Sequence, residues 1–355
     1  MDTLTQAALG AAVGGTVLGR RLGRKAVLIG AVLGTLPDLD VFLDYGDAVA
    51  NITEHRGFTH SLFVLTGLGT LLALLARRFA PARDISLGRW WVYFVLCLVT
   101  HPLLDVLTTY GTQIWWPLDV RPSAWPVVFI IDPLYTLPLL VGIGIALIGG
   151  NGFRGPAWGL SLSCAYLLFA MLAKGVVEHR LTPVLAERGL EEATRLVQPT
   201  PFNTLLWRVT IIDGDRHHET LVGLLDGGTP PMVETFRRGA ELEPAALALE
   251  KGQRLDWFAG PFLRYEVREW EGRATLIATD LRLGFPGFYA FSYALAIREE
   301  ETWQPLQVTE MVAPDSRADL DALGQLGARI LDAQATLCTS GFVAERWVED
   351  TPEAC

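Results

Sequence analysis

The chain lacks most of the short motifs that assign a chemistry from sequence alone. Its 355 residues contain no HExxH pair, no GxSxG elbow and no GxxxxGK[ST] loop. These absences disfavour the common zincin, serine-hydrolase and P-loop readings. Cysteine is scarce: four residues with no CxxC spacing, so no thiolate metal knuckle or thioredoxin-like redox motif is expected. Cys97 and Cys164 lie in apolar runs and read as core, whereas Cys338 and Cys355 are candidates to pair in an oxidising compartment. Basic charge is also short. Lys+Arg number 29 against 39 Asp+Glu, a net charge of −10, which leaves no basic surface for a nucleic acid. The first residues, Met1-Asp2, carry no basic n-region, so no cleaved signal peptide is expected. No internal repeat or low-complexity segment occurs.

What the chain has in excess is hydrophobicity. Half of its residues are hydrophobic and the mean hydropathy is +0.31, too apolar for an ordinary soluble protein. Charge is unevenly distributed. Residues 1–179 hold 12 Lys+Arg and 11 Asp+Glu, while residues 180–355 hold 17 and 28. The expected architecture is an all-α polytopic membrane bundle over residues 1–177, then an acidic soluble α+β domain over residues 178–355.

Six apolar segments stand out: Thr5–Gly19, Ala26–Leu36, Phe58–Ala76, Trp90–Thr108, Val127–Gly149 and Ala157–Ala173. The last four approach the length needed to cross about 30 Å of hydrocarbon. The first two are short and rich in Gly and Ala, which predicts a closely packed hairpin. Arg20, Arg21, Arg24 and Lys25, then Arg77, Arg78, Arg83 and Arg89, then Arg154 occupy alternate loops, and the opposite loops hold only Arg56 and Arg121. By the positive-inside tendency the basic loops are cytoplasmic. The chain is then expected in an inner membrane with its polar clusters and its second domain on the outer face. In that domain Leu205–Ile212 and Thr220–Leu225 read as a hairpin across Asp213-Gly214. Phe262–Trp270 and Ala274–Arg282 read as another across Glu271-Gly272, with a further strand at Phe288–Ile297. Ala245–Phe258 and Asp315–Thr336 read as helices.

Three polar clusters interrupt the apolar segments, where an uncompensated polar group is costly. His101-Pro-Leu-Leu-Asp105 places an imidazole and a carboxylate four residues apart on one helix face, with Pro102 expected to kink the helix. His55-Arg-Gly-Phe-Thr-His60-Ser61 sets two histidines around a turn, with Thr59 and Ser61 available to cap the following helix or to support a ligand. Leu36-Pro-Asp38-Leu-Asp40 supplies carboxylates, of which Asp38 lies nearer the apolar run. Imidazoles and carboxylates together suit a divalent cation, Zn²⁺ first and Mn²⁺ or Fe²⁺ as alternatives. The expected ligands are Asp38, His55, His60, His101 and Asp105, enough for one ion or for two about 3.5–4 Å apart that activate water and clamp a phosphoryl or acyl oxygen. A carboxylate outside the ligand set, Asp40 or Asp119, is the candidate general base, and Arg121 the candidate phosphate-binding group. Trp115 and Trp116 fit an aromatic belt. Asp132 reads as a supporting group or as a partner of Tyr110 or Gln113. His217 and His218 read as exposed, and His179 as a residue able to approach the metal site.

The stretches Met1-Asp-Thr-Leu-Thr-Gln-Ala-Ala-Leu-Gly10, Leu36-Pro-Asp-Leu-Asp40, His55-Arg-Gly-Phe-Thr-His-Ser61 and His101-Pro-Leu-Leu-Asp105 resemble the YdjM-type family of bacterial and archaeal inner-membrane, metal-dependent hydrolases. Trp116-Pro-Leu-Asp119 and Ile131-Asp-Pro-Leu-Tyr135 resemble a long-form branch of that family. The resemblance covers residues 1–175. It implies Asp38, His55 and/or His60, His101 and Asp105 as ligands. It also implies a distant similarity to zinc-dependent phospholipases C and single-strand nucleases, hence hydrolysis of a lipid or isoprenoid phosphoester. Many relatives carry a histidine where this chain has Gln6, a departure that puts the ion count in doubt. The same His/Asp set would equally serve a non-enzymatic transport, sensing or structural metal site.

Overall fold

The protein is described by a computed structural model over residues 1–80, 84–149, 153–313 and 320–355. Arg83 of the basic loop and residues 315–319 of the expected helix Asp315–Thr336 lie outside the described residues. The chain divides into two compact units. One comprises Met1–Leu43, Glu54–Met171 and Pro201–Asn203, the other Asp44–Thr53, Leu172–Thr200 and Thr204–Cys355.

Each of the six apolar segments contains a helix. Helices α1 (Thr3–Leu22) and α2 (Arg24–Thr35) form the first hairpin, and α3 (Ala48–Glu54) follows. Then come α4 (Leu62–Phe79), α5 (Leu87–Val106), α6 (Pro133–Ile148) and α7 (Arg154–Arg188). Among the described residues, three helices are long and apolar enough to cross a membrane: α4, α5 and α7. Helix α6 is shorter than the segment expected at Val127–Gly149. Pro133 occupies its first turn and the Asp132 side chain caps it, accepting from Leu134 N and Tyr135 N, so the residues before Asp132 stay outside the helix. Tyr166 donates to the other Asp132 oxygen at 2.8 Å, which makes Tyr166 and the helix N-terminus its partners. Helix α5 continues through Pro102 to Val106.

Glycine brings α1 and α2 together. A Cβ at Gly10 would lie 2.2 Å from Gly30 O, one at Gly30 2.3 Å from Gly10 O, and one at Gly34 2.5 Å from Gln6 O. No larger residue permits this approach, and it gives the hairpin its contact without long side chains. Tyr93 and Cys97 of α5 close on the same seam through Tyr93 Oη, which donates to Ala26 O at 2.9 Å. Leu9, Leu98, Tyr93 and Leu139 are buried around it. Cys164 departs from the core reading: it is exposed on α7, while Cys97 is buried.

The second unit holds two antiparallel sheets. The first has the order β1 (Thr194–Pro199), β2 (Leu206–Asp213), β3 (Arg216–Gly223), β4 (Val233–Arg237), β9 (Val348–Asp350). The second runs β5 (Leu263–Trp270), β6 (Arg273–Asp280), β7 (Ser292–Glu299), β8 (Thr302–Met311). The β5–β6 turn places Glu271 and Gly272 at φ 51° and 73°, a pair of left-handed residues that matches the twist of a two-residue hairpin. The helix expected over Ala245–Phe258 is two, α8 (Glu243–Leu247) and α9 (Glu250–Ala259), because Leu249 is extended. That break seats Gly252 against Ala246 O, where a Cβ would lie at 1.9 Å. Helix α10 (Leu320–Leu331) completes the set. Cys338 and Cys355 are joined in a disulfide.

His217 and His218 are buried, against the expectation of exposure. They lie on β3, a strand covered on both faces, where His217 stacks on Phe236 and His218 Nδ1 meets Thr235 Oγ1 at 3.0 Å. Burial, with Arg264 and Arg208 nearby, holds His217 well below the usual histidine range. On the same strand the carboxylate of Glu219 accepts from Arg208 Nε at 2.9 Å and Nη2 at 2.6 Å, an ion pair removed from solvent.

Candidate metal centre

Four short segments converge at one end of the first unit. Helix α2 stops at Thr35, and Pro37 begins a 3-10 turn, Pro37–Phe42, that carries Asp38 and Asp40. A second 3-10 turn, Phe58–His60, carries His60 up to the start of α4, where Ser61 caps the helix. The last turns of α5 supply His101 and Asp105 on one face. The first turn of α1 supplies Gln6, fully buried.

Asp38, His60, His101 and Asp105 form a group able to hold a metal ion, each offering one ligand atom within 4.8 Å of the others. His60 Nε2 lies 3.1 Å from His101 Nε2, 3.5 Å from Asp38 Oδ1 and 3.4 Å from Asp105 Oδ2. His101 Nε2 lies 3.2 Å from Asp38 Oδ1 and 3.3 Å from Asp105 Oδ2. Donors arranged as a tetrahedron about 2.0–2.1 Å from a central Zn²⁺ stand about 3.3–3.4 Å apart, so these separations are of the right size for one ion.

The surrounding hydrogen bonds set which atoms face inward. His101 Nδ1 meets Gly34 O at 2.6 Å, and a carbonyl only accepts, so Nδ1 carries the proton. Thr59 Oγ1 donates to Asp40 Oδ2 at 2.8 Å and therefore accepts from His60 Nδ1 at 2.9 Å. In their neutral form both imidazoles therefore turn Nε2 lone pairs toward each other. Asp105 Oδ2 faces the same point with no hydrogen-bond donor of its own. Two imidazole nitrogens and two carboxylates packed this closely make a donor set able to hold a cation. The donor set and its orientation fit a divalent cation.

The Met1 amino group and Arg56 balance charge around the group, and Gln6 adds an amide. Asp105 Oδ1 accepts from Gln6 Nε2 at 3.0 Å and lies against the Met1 amino group and, at 3.4 Å, Arg56 Nη2. Arg56 is buried, with its guanidinium 4.9 Å from the centre of the Tyr110 ring. Its backbone is left-handed at φ 62°, which turns its N–H onto Asp40 Oδ2 at 3.0 Å. Gln6 therefore puts an amide beside Asp105, and its Oε1 is buried without a hydrogen-bond partner. Sequence spacing carried no signal for Arg56 or Gln6, since both act across more than 45 residues of chain.

The other expected site residues fall elsewhere. His55 is outside the four-residue group: its Nδ1 bonds Asp40 Oδ1 at 2.9 Å and its ring meets Tyr110 edge-on. Asp40 is buried and accepts from His55, Arg56 N and Thr59, so both its oxygens are engaged. Burial pushes Asp40 up, but His55 and Thr59 outweigh it and hold the carboxyl below its ordinary range. Asp38 is the most open of the four, its side chain 16 % exposed. Asp119 and Arg121 are exposed on the loop between α5 and α6 and are not among the four. His179 is exposed on α7. Among the described residues this is the single such group, and it is sized for one ion.

Residues 1–177 match the family model described as YdjM inner membrane protein. Over 303 residues the chain is 25 % identical to the uncharacterized protein YfhP of Bacillus subtilis, covering 82 % of this chain and 89 % of that one. Over 114 residues it is 33 % identical to the inner membrane protein YbcI of Escherichia coli, covering 32 % of this chain and 64 % of that one. No solved structure matches the chain.

Proposed function

The chain belongs to the YdjM inner membrane protein family, and on that premise we propose that it is a multi-pass, membrane-embedded, metal-dependent hydrolase of phosphoesters. The observation that carries the reading is the convergence of His60 Nε2, His101 Nε2, Asp38 Oδ1 and Asp105 Oδ2, with both Nδ1 atoms engaged by partners outside the group. A divalent cation bound there supplies Lewis acidity toward a phosphoryl oxygen and makes water a stronger nucleophile at neutral pH. His60, His101 and Asp105, all buried, hold the fixed part of the site. Asp38 lies on a short 3-10 turn with part of its carboxylate open, which makes it the ligand that yields a position to substrate. Asp40, with both oxygens engaged, orients His60 through Thr59 and is better suited to positioning than to taking a proton. Arg56 offsets the charge of Asp105, and Arg121, exposed on the loop, is the candidate group for a phosphate.

The excess of Arg in alternate loops supports an outer-face location for the metal group. The Cys338–Cys355 disulfide supports an oxidising compartment for the second unit. The second reading is a structural or sensing site. It is favoured by the completeness of the four-donor set, since structural sites are closed and catalytic sites keep an open position. Elemental analysis of the purified protein beside His101→Ala tests the metal, and phosphatidic acid and alkyl phosphate hydrolysis tests the reaction. One ion lost in the variant together with metal-dependent phosphate release supports the hydrolase. One tightly held ion with no turnover on any phosphoester supports the structural site, and no ion in the wild type refutes both.

A further inference from the structure

The metal group sits at the end of two membrane-spanning helices. His60 lies two residues before α4 begins at Leu62, and His101 and Asp105 lie in the last turns of α5, which ends at Val106. The 3.1 Å approach of His60 to His101 puts the start of α4 beside the end of α5, so the group is at one shared end of this pair. Around it lie exposed side chains of the kind that proteins place in a bilayer interface. On the 3-10 turn, Asp38 and Asp40 turn toward the site while Leu39, Val41 and Phe42 are 52 %, 67 % and 83 % exposed. Phe58, also exposed, meets the exposed Trp116 edge-on with ring centres 5.5 Å apart.

These side chains are tied to the span itself. Ser61, the cap of α4, donates its hydroxyl to Trp116 O at 2.6 Å, and Leu62 N, in the first turn, donates to Ile114 O at 3.0 Å. Phe63 of α4 packs near Trp115 with ring centres 6.3 Å apart. A loop hydrogen-bonded to the first turn of a transmembrane helix shares the depth of that turn, which is the interface where Trp and other amphipathic or aromatic residues settle.

We infer that Leu39, Val41, Phe42, Phe58, Trp115 and Trp116 form a lipid-embedded rim that seats the mouth of the metal group at headgroup depth, so that the group receives molecules from the bilayer rather than from bulk water. Asp38, the open ligand, lies on the same 3-10 turn as Leu39, Val41 and Phe42 of this rim. The rim is independent of any reaction. Only the identity of the guest, an amphiphile with a phosphoester in its polar group, rests on the hydrolase reading.

The test places a nitroxide at Phe42→Cys, and separately at Phe58→Cys, in a Cys164→Ser background of the full chain. Each protein is reconstituted in phosphatidylcholine vesicles. Power-saturation EPR compares collision with oxygen, which concentrates in hydrocarbon, and with a water-soluble nickel chelate. Leu71→Cys, exposed midway along α4, reports hydrocarbon, and Glu301→Cys, exposed on the β7–β8 turn, reports water. The expected oxygen-to-nickel ratio at positions 42 and 58 is several-fold above that at 301 and below that at 71. Ratios equal to that at 301, equal to that at 71, or dipolar broadening from a second chain on the rim each overturn the inference. Metal content is measured on the same samples. Metal retained with water-like labels removes the rim and leaves the hydrolase reading intact. Interfacial labels on a protein that hydrolyses no phosphatidic acid keep the rim and remove that reading.

Discussion

Replacing Gly30 with alanine tests whether the metal group depends on the closeness of α1 and α2. Gly30 touches no residue of the group, yet its added Cβ would stand 2.3 Å from Gly10 O and 3.2 Å from Gly14 Cα. To reach an ordinary contact of 3.4 Å the helices must part by about 1 Å at that level. Overpacking of this kind costs about 1–3 kcal/mol. The same parting carries Gly34 O away from His101 Nδ1, now 2.6 Å away, and Gln6 Nε2 away from Asp105, now 3.0 Å away. Loss of such outer partners typically weakens a metal site by about 10- to 100-fold. Competition for Zn²⁺ or Co²⁺ with a chromophoric chelator in detergent reads this directly. Gly67→Ala on α4 is the control, because a Cβ there meets nothing within 4 Å. Metal affinity unchanged in Gly30→Ala and equal to that of Gly67→Ala would refute the argument that the glycine seam positions His101.

Further outcomes follow from the same contacts. His55→Ala is expected to retain the metal ion by elemental analysis, while His60→Ala and Asp105→Ala lose it, because His55 bonds Asp40 and offers no ligand atom to the group. Thr59→Val, which removes the link between His60 and Asp40, lowers metal affinity by about 10-fold or more in the same chelator competition. In the second unit, His217 is held well below its ordinary value of 6.5, so the native state refuses a proton that the unfolded chain accepts. Stability is therefore full above about pH 6.5 and falls as the pH drops below it, by at most about 1.4 kcal/mol per pH unit. His217→Gln flattens that slope in thermal unfolding scans between pH 7.5 and pH 5. Arg208→Met leaves Glu219 buried without its cation and destabilises by about 3–5 kcal/mol in denaturant unfolding, most of it recovered when Glu219→Leu is added.

The residues of the metal-sized group were visible in the sequence because they violate their surroundings. His101 and Asp105 break an apolar helix at i, i+4, and His60 and Asp38 stand at the edges of apolar runs where a polar group needs a reason. The choice between His55 and His60 was not visible, since it turns on a three-residue 3-10 turn that aims one ring inward and the other at Asp40. Arg56 and Gly34 O escaped for a different reason: they meet α5 across 49 and 67 residues of chain, a pairing that local periodicity does not encode, and Gln6 stood out only through the resemblance. Helices α4 and α5 were legible from length and hydropathy, whereas the start of α6 needed the recognition of Asp132-Pro133 as a cap and first turn. His217 and His218 looked exposed because polar residues in a strand normally face water. Only the covering of β3 on both faces reverses that, and it depends on strands distant in the chain.

The four donors enter the polypeptide in order: Asp38 after the first hairpin, His60 before the second, His101 and Asp105 at that hairpin's return. Through most of synthesis the nascent bundle therefore holds an incomplete set of lone pairs. A cation becomes competent to bind only once α5 has run back beside α4. A bound cation would then act as a late clasp, fastening the first hairpin to the second at one end while the glycine seam holds the first hairpin along its length. Metal starvation during synthesis should accordingly leave the helices inserted and the clasp open, a chain of the right topology whose site end opens more readily than the rest.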